Sequence, residues 1–240
     1  MIDLFSHIYN LILYQPIYNL VIGLYNLSPG PNLGWAIVML SIIVRLAFLP
    51  LTLKGYKTDN LLEEIAHTIH GIENDPNLDS KEKRSRITEV MRSKGINPIS
   101  EVLSVVGQLL FLLVLYQIVQ KGLHPPFHNL YSFITTPTNV NTIFFFGTDV
   151  SKPFNLLYCS ATAVLLFIEQ VWEYESKKNI PEATFSGRWY PLLLPISTFI
   201  LLMILPATKA VFLFVSILFS LGIRLMFTIG RMGRPKEANV

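Results

Sequence analysis

Charge is scarce in this chain. Only 15% of its 240 residues are Asp, Glu, Lys or Arg, while 51% are hydrophobic, and the mean hydropathy is +0.46. A soluble domain needs more charge than that to cover its surface. Cysteine is nearly absent. Cys159 is alone, which excludes an internal disulfide and a cysteine metal cluster, and inside an apolar block it reads as a small buried hydrophobe. No Lys or Arg precedes Arg45. The beginning of the chain has neither the basic region and small-residue cleavage site of a cleaved signal peptide nor a lipobox-type cysteine, so neither kind of processing is expected. Catalytic signatures are missing as well: no Gly-x-Ser-x-Gly elbow, no His-Glu-x-x-His, no phosphate-cradling loop, no carboxylate pair within an apolar span. No enzyme activity and no cofactor is expected. His67 and His70 with Glu63 and Glu64 have a spacing that a metal could use, but on a charged helix they read as a solvated face, and no metal is expected. A net charge of +3 in a membrane protein records orientation, so no sequence-specific nucleic-acid binding is expected either.

What is present is a set of apolar blocks. Residues 34–53 form a 20-residue stretch with a single charge, Arg45, near its middle. Twenty residues is the length that crosses a hydrocarbon core as a helix. An arginine at that depth costs roughly 2.5–3.5 kcal/mol on insertion scales. Lys54 lies about 13 Å further along a helix rising ~1.5 Å per residue, farther than a guanidinium easily snorkels. Arg45 is therefore expected to face protein or water.

The rest of the chain falls into place around that span. Residues 1–33 are apolar but interrupted. Asp3, Ser6, His7 and Asn10 share one helical face, and Asn19, Gly23 and Asn26 continue a polar stripe after Pro16. This predicts an amphipathic segment at the interface; a true span is also long enough, and charge does not arbitrate. Residues 54–98 hold eight of the 19 Lys/Arg and eight of the 16 Asp/Glu. There Leu61, Leu62, Ile65 and Ile69 recur at helical spacing, as do Ile87 and Met91 on a second segment. Asn74-Asp75-Pro76-Asn77 is a turn signal between them, and Asp79 with Glu82 resembles a capping box. A helical hairpin is expected. Its exposed basic residues suit anionic lipid, a ribosome, or plain solvent.

A second span is expected at 99–120, an external loop at 121–152, a third span at 153–174 and a short polar connection at 175–188. A fourth span follows at 189–205, then a turn and fifth span at 206–229 and a basic tail at 230–240. Loops 54–98, 175–188 and the tail hold eight, three and three Lys/Arg, against two in 121–152 and one in 206–209. The hairpin and tail are thus expected in the cytoplasm, and the residues before Gly34 outside. The fold class expected is all-α: a polytopic membrane protein with five transmembrane helices, an N-terminal interfacial amphipathic helix and a cytoplasmic helical hairpin.

Several spans carry a polar stripe. Polar groups in lipid are unfavourable unless paired or hydrated, so turning the stripes inward around Arg45 would make a hydrophilic cavity. The candidates are Ser41 with Arg45 on the first span, Ser104 and Gln108 on the second, Tyr158 and Thr162 on the third, Ser197 on the fourth, and Ser216 and Ser220 on the fifth. Ser and Thr can bond their own helix instead. Glu169 and Arg224, near the ends of their spans, read as interface anchors. A cavity of this kind also suits a small solute or ion transporter, although no inverted repeats of the transporter kind are visible.

The order of parts resembles the YidC family of membrane-protein insertases, with its Oxa-type relatives. Gln15-Pro16-Ile17-Tyr18 is similar to the segment preceding its first span. Ile42-Ile43-Val44-Arg45 followed by Pro50-Leu51-Thr52 resembles the first-span signature, the most specific match. Asn97-Pro98, Gln108 through Leu115-Tyr116, and the prolines Pro195 and Pro206 resemble features of the later spans. Leu110 stands where the family has a proline, and Val211–Ile217 lacks the usual Tyr/Trp and Asn. The resemblance covers residues 12–229 and implies the minimal five-span form, without the long periplasmic domain of some members. It implies a positively charged groove open to cytoplasm and lipid, with Arg45 as its charge and nascent membrane proteins as substrates. The hairpin residues Leu61, Leu62, Ile65, Ile69, Ile87 and Met91 would capture substrate. A ribosome and a Sec translocon are possible partners alongside membrane lipids, in a bacterial-type cell membrane.

Overall fold

The computed structural model describes residues 7–96, 98–123, 127, 129–177 and 190–232. The chain is mostly helical. After a π-helical turn at Asn10–Tyr14 come α1 (Gln15–Leu27), α2 (Leu33–Glu73), α3 (Ser80–Ser93), α4 (Pro98–Gln117), α5 (Leu156–Lys177), α6 (Tyr190–Ile204) and α7 (Thr208–Met232). Three of these contain windows long and apolar enough to cross a membrane: Leu33–Gly55, Leu156–Glu175 and Thr208–Met226. Leu109–Lys121 and Leu192–Ile204 are shorter apolar helical stretches.

Local chemistry explains the element boundaries. Pro16 lies in the first turn of α1 directly after the π-helical turn, where Gln15 N donates to Asn10 O and the proline, without an N–H, cannot continue the ladder. Asn32 caps α2, its side-chain oxygen accepting from Gly34 N at 2.9 Å and its Nδ2 donating to Ile143 O. One amide thereby ties the start of the first apolar helix to the loop that covers it. The change from apolar to charged sequence at Lys54 does not end α2, which runs unbroken for 41 residues with Pro50 inside, roughly 60 Å. The hydrocarbon boundary and the helix boundary are set by different physics. Side-chain polarity decides the first, while the second waits for the turn at Asn74–Asp79. There Asp79 and Glu82 form the reciprocal capping box, Asp79 accepting from Glu82 N while Glu82 accepts from Asp79 N at 3.3 Å. α3 then lies back along α2. Ile65, Ile69 and Ile96 are buried in a seam with Leu61, Ile87, Val90 and Met91, and Lys94 pairs with Glu64 at 2.8 Å.

The main core lies at one end of the bundle. It joins α1 (Tyr18, Val21, Ile22), the first turns of α2 (Leu33, Ile37, Leu40), the end of α4 (Val114, Leu115) and the start of α7 (Ala207, Val211, Phe212). α5 packs against α6 and α7, and α2 against α1 and α7. The loop between α4 and α5 closes this end. It contains a two-stranded antiparallel ribbon, β1 (Ile143–Phe144) with β2 (Thr148–Asp149). Phe144 lies so close to Gly34 that a Cβ there would overlap its ring. The loop is stitched to the α6–α7 turn by Phe154 N to Met203 O, Ala207 N to Lys152 O and Thr208 N to Val150 O, all 2.8–2.9 Å.

The polar stripe of α1 serves this same loop. Asn19 is buried. Its Nδ2 donates to Asn129 O at 2.9 Å and its Oδ1 accepts from Tyr131 N at 2.7 Å. Asn26 donates to Thr135 O, and the Tyr25 hydroxyl donates to Asn139 O and accepts from Asn141 N. Loop backbone without ladder partners finds them on α1. The apolar residues Leu11, Ile12 and Leu27 stay exposed.

Candidate functional site: an intramembrane arginine and its charge cluster

Below the main core the packing opens. Arg45, half-buried on α2, lines a cavity of about 170 Å³ with Phe111 and Leu112 of α4 and Phe212, Leu213 and Ser216 of α7. Among the described residues, Arg45 and Ser216 are its only polar lining residues. Ser216 is 1% exposed, and its hydroxyl has no hydrogen-bond partner among the described residues.

The other expected groove residues have separate placements. Ser41 is buried and donates to Ile37 O of its own helix at 2.7 Å. Thr162 is buried with its hydroxyl within reach of Tyr158 O at 2.7 Å and Ala210 O at 3.0 Å, bridging α5 to α7. The Tyr158 hydroxyl joins the α4–α5 loop, donating to Phe145 O at 2.9 Å. Ser197 is exposed and bonds Leu194 O within α6. Ser220 is half-buried and is not part of the cavity wall. Ser104 and Gln108 lie on α4, but their side chains fall outside the described residues, as does that of Leu62. Leu61, Ile65, Ile69, Ile87 and Met91 come together, in the seam between α2 and α3.

Of the expected groove residues whose side chains are described, Arg45 and Ser216 border the cavity. What accompanies Arg45 is charge. Glu169 on α5 lies within electrostatic reach of both Arg45 and Arg224, with Glu173 opposing. Arg224 Nη2 stands 3.8 Å from a Glu173 oxygen, the two side chains 15% and 36% exposed. Two cations from α2 and α7 thus meet two carboxylates one turn apart on α5. This is how a bilayer-depth guanidinium becomes tolerable, because opposite charges offset its lost hydration. Sequence reasoning separated these residues, reading Glu169 and Arg224 as interface anchors. The available signal was the i, i+4 spacing of Glu169 and Glu173 in the expected third span, which corrects the expectation that no apolar span holds a carboxylate pair.

Among the described residues, no group of three or more His, Cys, Asp and Glu could hold a metal. His67 and His70 are exposed, and the His70 ring contacts the Asn74 amide. Arg45 instead offers a fixed positive charge beside a small space in apolar surroundings. Such a group attracts a carboxylate more strongly than the same pair would attract in water.

Apolar helices of spanning length around a charge-compensated arginine define an all-α integral membrane protein. The family model described as 60Kd inner membrane protein matches residues 24–233, and the chain belongs to that family. Similar curated proteins are each described as "Membrane protein insertase YidC". That of Polynucleobacter asymbioticus is 28% identical over 111 residues, 46% of this chain and 20% of the relative. That of Wolinella succinogenes is 28% identical over 109 residues, 45% and 20%. That of Campylobacter jejuni is 30% identical over 92 residues, 38% and 17%. The matched stretch spans about a fifth of these relatives' length.

Proposed function

We propose that this protein is a membrane-protein insertase. The observation carrying the reading is Arg45, a cation held at bilayer depth beside a cavity in a member of the 60Kd inner membrane protein family. α2, α4, α5, α6 and α7 supply five spans, with α1 at the outer interface and the α2–α3 arm and the C-terminus in the cytoplasm. The Lys/Arg distribution supports that orientation. A nascent segment with a short acidic tail enters from the cytoplasm. Its carboxylate exchanges water for the Arg45 guanidinium, competing with Glu169 for it. The apolar segment then moves sideways into lipid, which supplies the driving force without nucleotide. A membrane potential adds about 2.3 kcal/mol per charge per 100 mV for a negative group moving outward.

The arm formed by α2 and α3 offers the first contact for the substrate, and the exposed basic residues of α3 suit anionic lipid or a ribosome. Because Ile65 and Ile69 are already buried against α3, capture by that seam requires the two helices to part. Photo-crosslinking tests the path. A photoreactive residue at Ser216, but not at Ser197, is expected to label a stalled single-span nascent chain. No labelling from Ser216 alongside solute uptake by the purified protein would replace this reading with a transporter, and equal labelling from both positions would contradict a path along the Arg45 cavity.

A further inference from the structure

Among the described residues, three buried side-chain polar atoms without a hydrogen-bond partner fall on one helix. They are Thr208 Oγ1, Lys209 Nζ and Ser216 Oγ of α7, and of these the Lys209 ammonium has a single recorded contact, with a ring. Lys209 is 2% exposed. Its Nζ stands 3.6 Å from the centroid of the Tyr116 ring. A π face offsets part of the lost hydration of an ammonium but supplies no acceptor. Position makes the case worse, because Lys209 lies in the first turn of α7, at the positive end of the helix dipole. A cation kept there without an acceptor is poised for an anion.

Its place in the fold says which anion. Lys209, Phe212, Leu213 and Ser216 share one face of α7, at i, i+3, i+4 and i+7. The last three line the Arg45 cavity. On α4, Tyr116 follows the cavity-lining Leu109 and Leu112 at the same spacing. Lys209 therefore stands two turns, about 10 Å, further along the same two helix faces. The stacked pair Phe111–Phe212, with centroids 5.4 Å apart, lies on these faces between the two cations. Tyr116 is 38% exposed, so its ring can swing aside without breaking the core.

Resting on the insertase reading, we infer that Lys209 is a second cationic station for the acidic tail, beyond Arg45 on the outward path. A carboxylate leaving Arg45 passes the Phe111–Phe212 stack and pairs with the Lys209 ammonium as the Tyr116 ring gives way. No covalent step is involved. A lipid phosphate would satisfy the same ammonium, but Lys209 shares its helix face with Phe212, Leu213 and Ser216 of the Arg45 cavity, which favours the tail.

The test uses the purified full chain in vesicles and two single-span substrates, their short outer tails carrying either two Asp or two Asn. The quantity read is the ratio of acidic-tail to neutral-tail insertion. K209Q is expected to lower it about fivefold, and K209R to return it to within about twofold of wild type. An unchanged ratio in K209Q, while the wild type inserts both substrates, overturns the Lys209 assignment and leaves the insertase reading standing. Wild type inserting neither substrate above protein-free vesicles overturns both. If K209Q acts in vesicles containing phosphatidylglycerol but not in phosphatidylcholine alone, the ligand is lipid phosphate and the assignment falls. A photoreactive residue in place of Tyr116 tests the site with Lys209 intact. More adducts with the Asp tail than the Asn tail are expected, and equal yields would contradict the inference.

Discussion

Ser41, Thr162 and Ser216 carry similar hydroxyls in apolar helices, yet the structure uses them differently. Ser41 donates a hydrogen bond to its own backbone, Thr162 joins two helices through Ala210 O, and Ser216 faces the Arg45 cavity with no hydrogen-bond partner among the described residues. Sequence marks each as a small polar residue on a span and says nothing about where the hydroxyl points, because the alternatives differ by one rotamer. The stability consequences differ too. Thr162→Val is expected to destabilise the bundle by about 1 kcal/mol, while Ser216→Ala is expected to be near neutral because it removes no bond. Thermal unfolding in detergent reads both. Gly34 presents the opposite case, a residue whose lack of a side chain is the point. Gly34→Ala is expected to displace the Phe144 ring and destabilise by roughly 1–3 kcal/mol, with loosened proteolytic protection of residues 141–150. An unchanged unfolding temperature would show that the ring has somewhere to go.

At the scale of elements, the first span and the capped start of α3 were legible because their signals are local. A 20-residue window with one charge, and an Asp with Glu three residues on, each act within a few turns. Continuity of α2 through Pro50 and past Lys54 was not legible, since Lys54 marks a change in side-chain polarity rather than the end of a helix. Nor was the pairing of α1 with the α4–α5 loop. The Asn19 and Asn26 stripe fits water as well as it fits loop carbonyls, and only tertiary structure chooses. That loop also carries a pH dependence. Burial alone would raise the Asp149 carboxyl, but hydrogen bonds from Ser151 and Thr142 and the charge of Lys152 outweigh it and hold it below the usual range. A group whose folded pKa is depressed stabilises above its unfolded pKa of about 3.9, and loses that contribution as pH falls through the folded value. The protection factors of the Ile143–Asp149 ribbon, relative to the rest of the core, should be constant from about pH 7 to 5 and fall below about 4. Asp149→Asn should remove that dependence. A wild-type ribbon equally protected at acid pH would contradict it.

Across the whole molecule, hydropathy divided the chain into apolar blocks, but it could not show that Arg45, Glu169, Glu173 and Arg224 meet. Those residues lie on three helices far apart in sequence, and a lone charge within a span only announces that it needs company. The main core sits at the looped end and the charges gather deeper. The arrangement is a bundle tied tightly at one end, with a polar fault in its interior. On the proposed function that fault is the working part, and a purely structural bundle would avoid it. Its central element is Arg45, and the most direct test is the insertion of matched single-span substrates by purified protein in vesicles. Arg45→Ala is expected to reduce insertion of an acidic-tailed substrate about tenfold relative to its neutral-tailed counterpart. Pairing it with Glu169→Gln keeps the cluster's net charge and guards against misfolding. If Arg45→Ala inserts both substrates in the wild-type ratio, the guanidinium has no part in moving the tail, and the account fails at its centre.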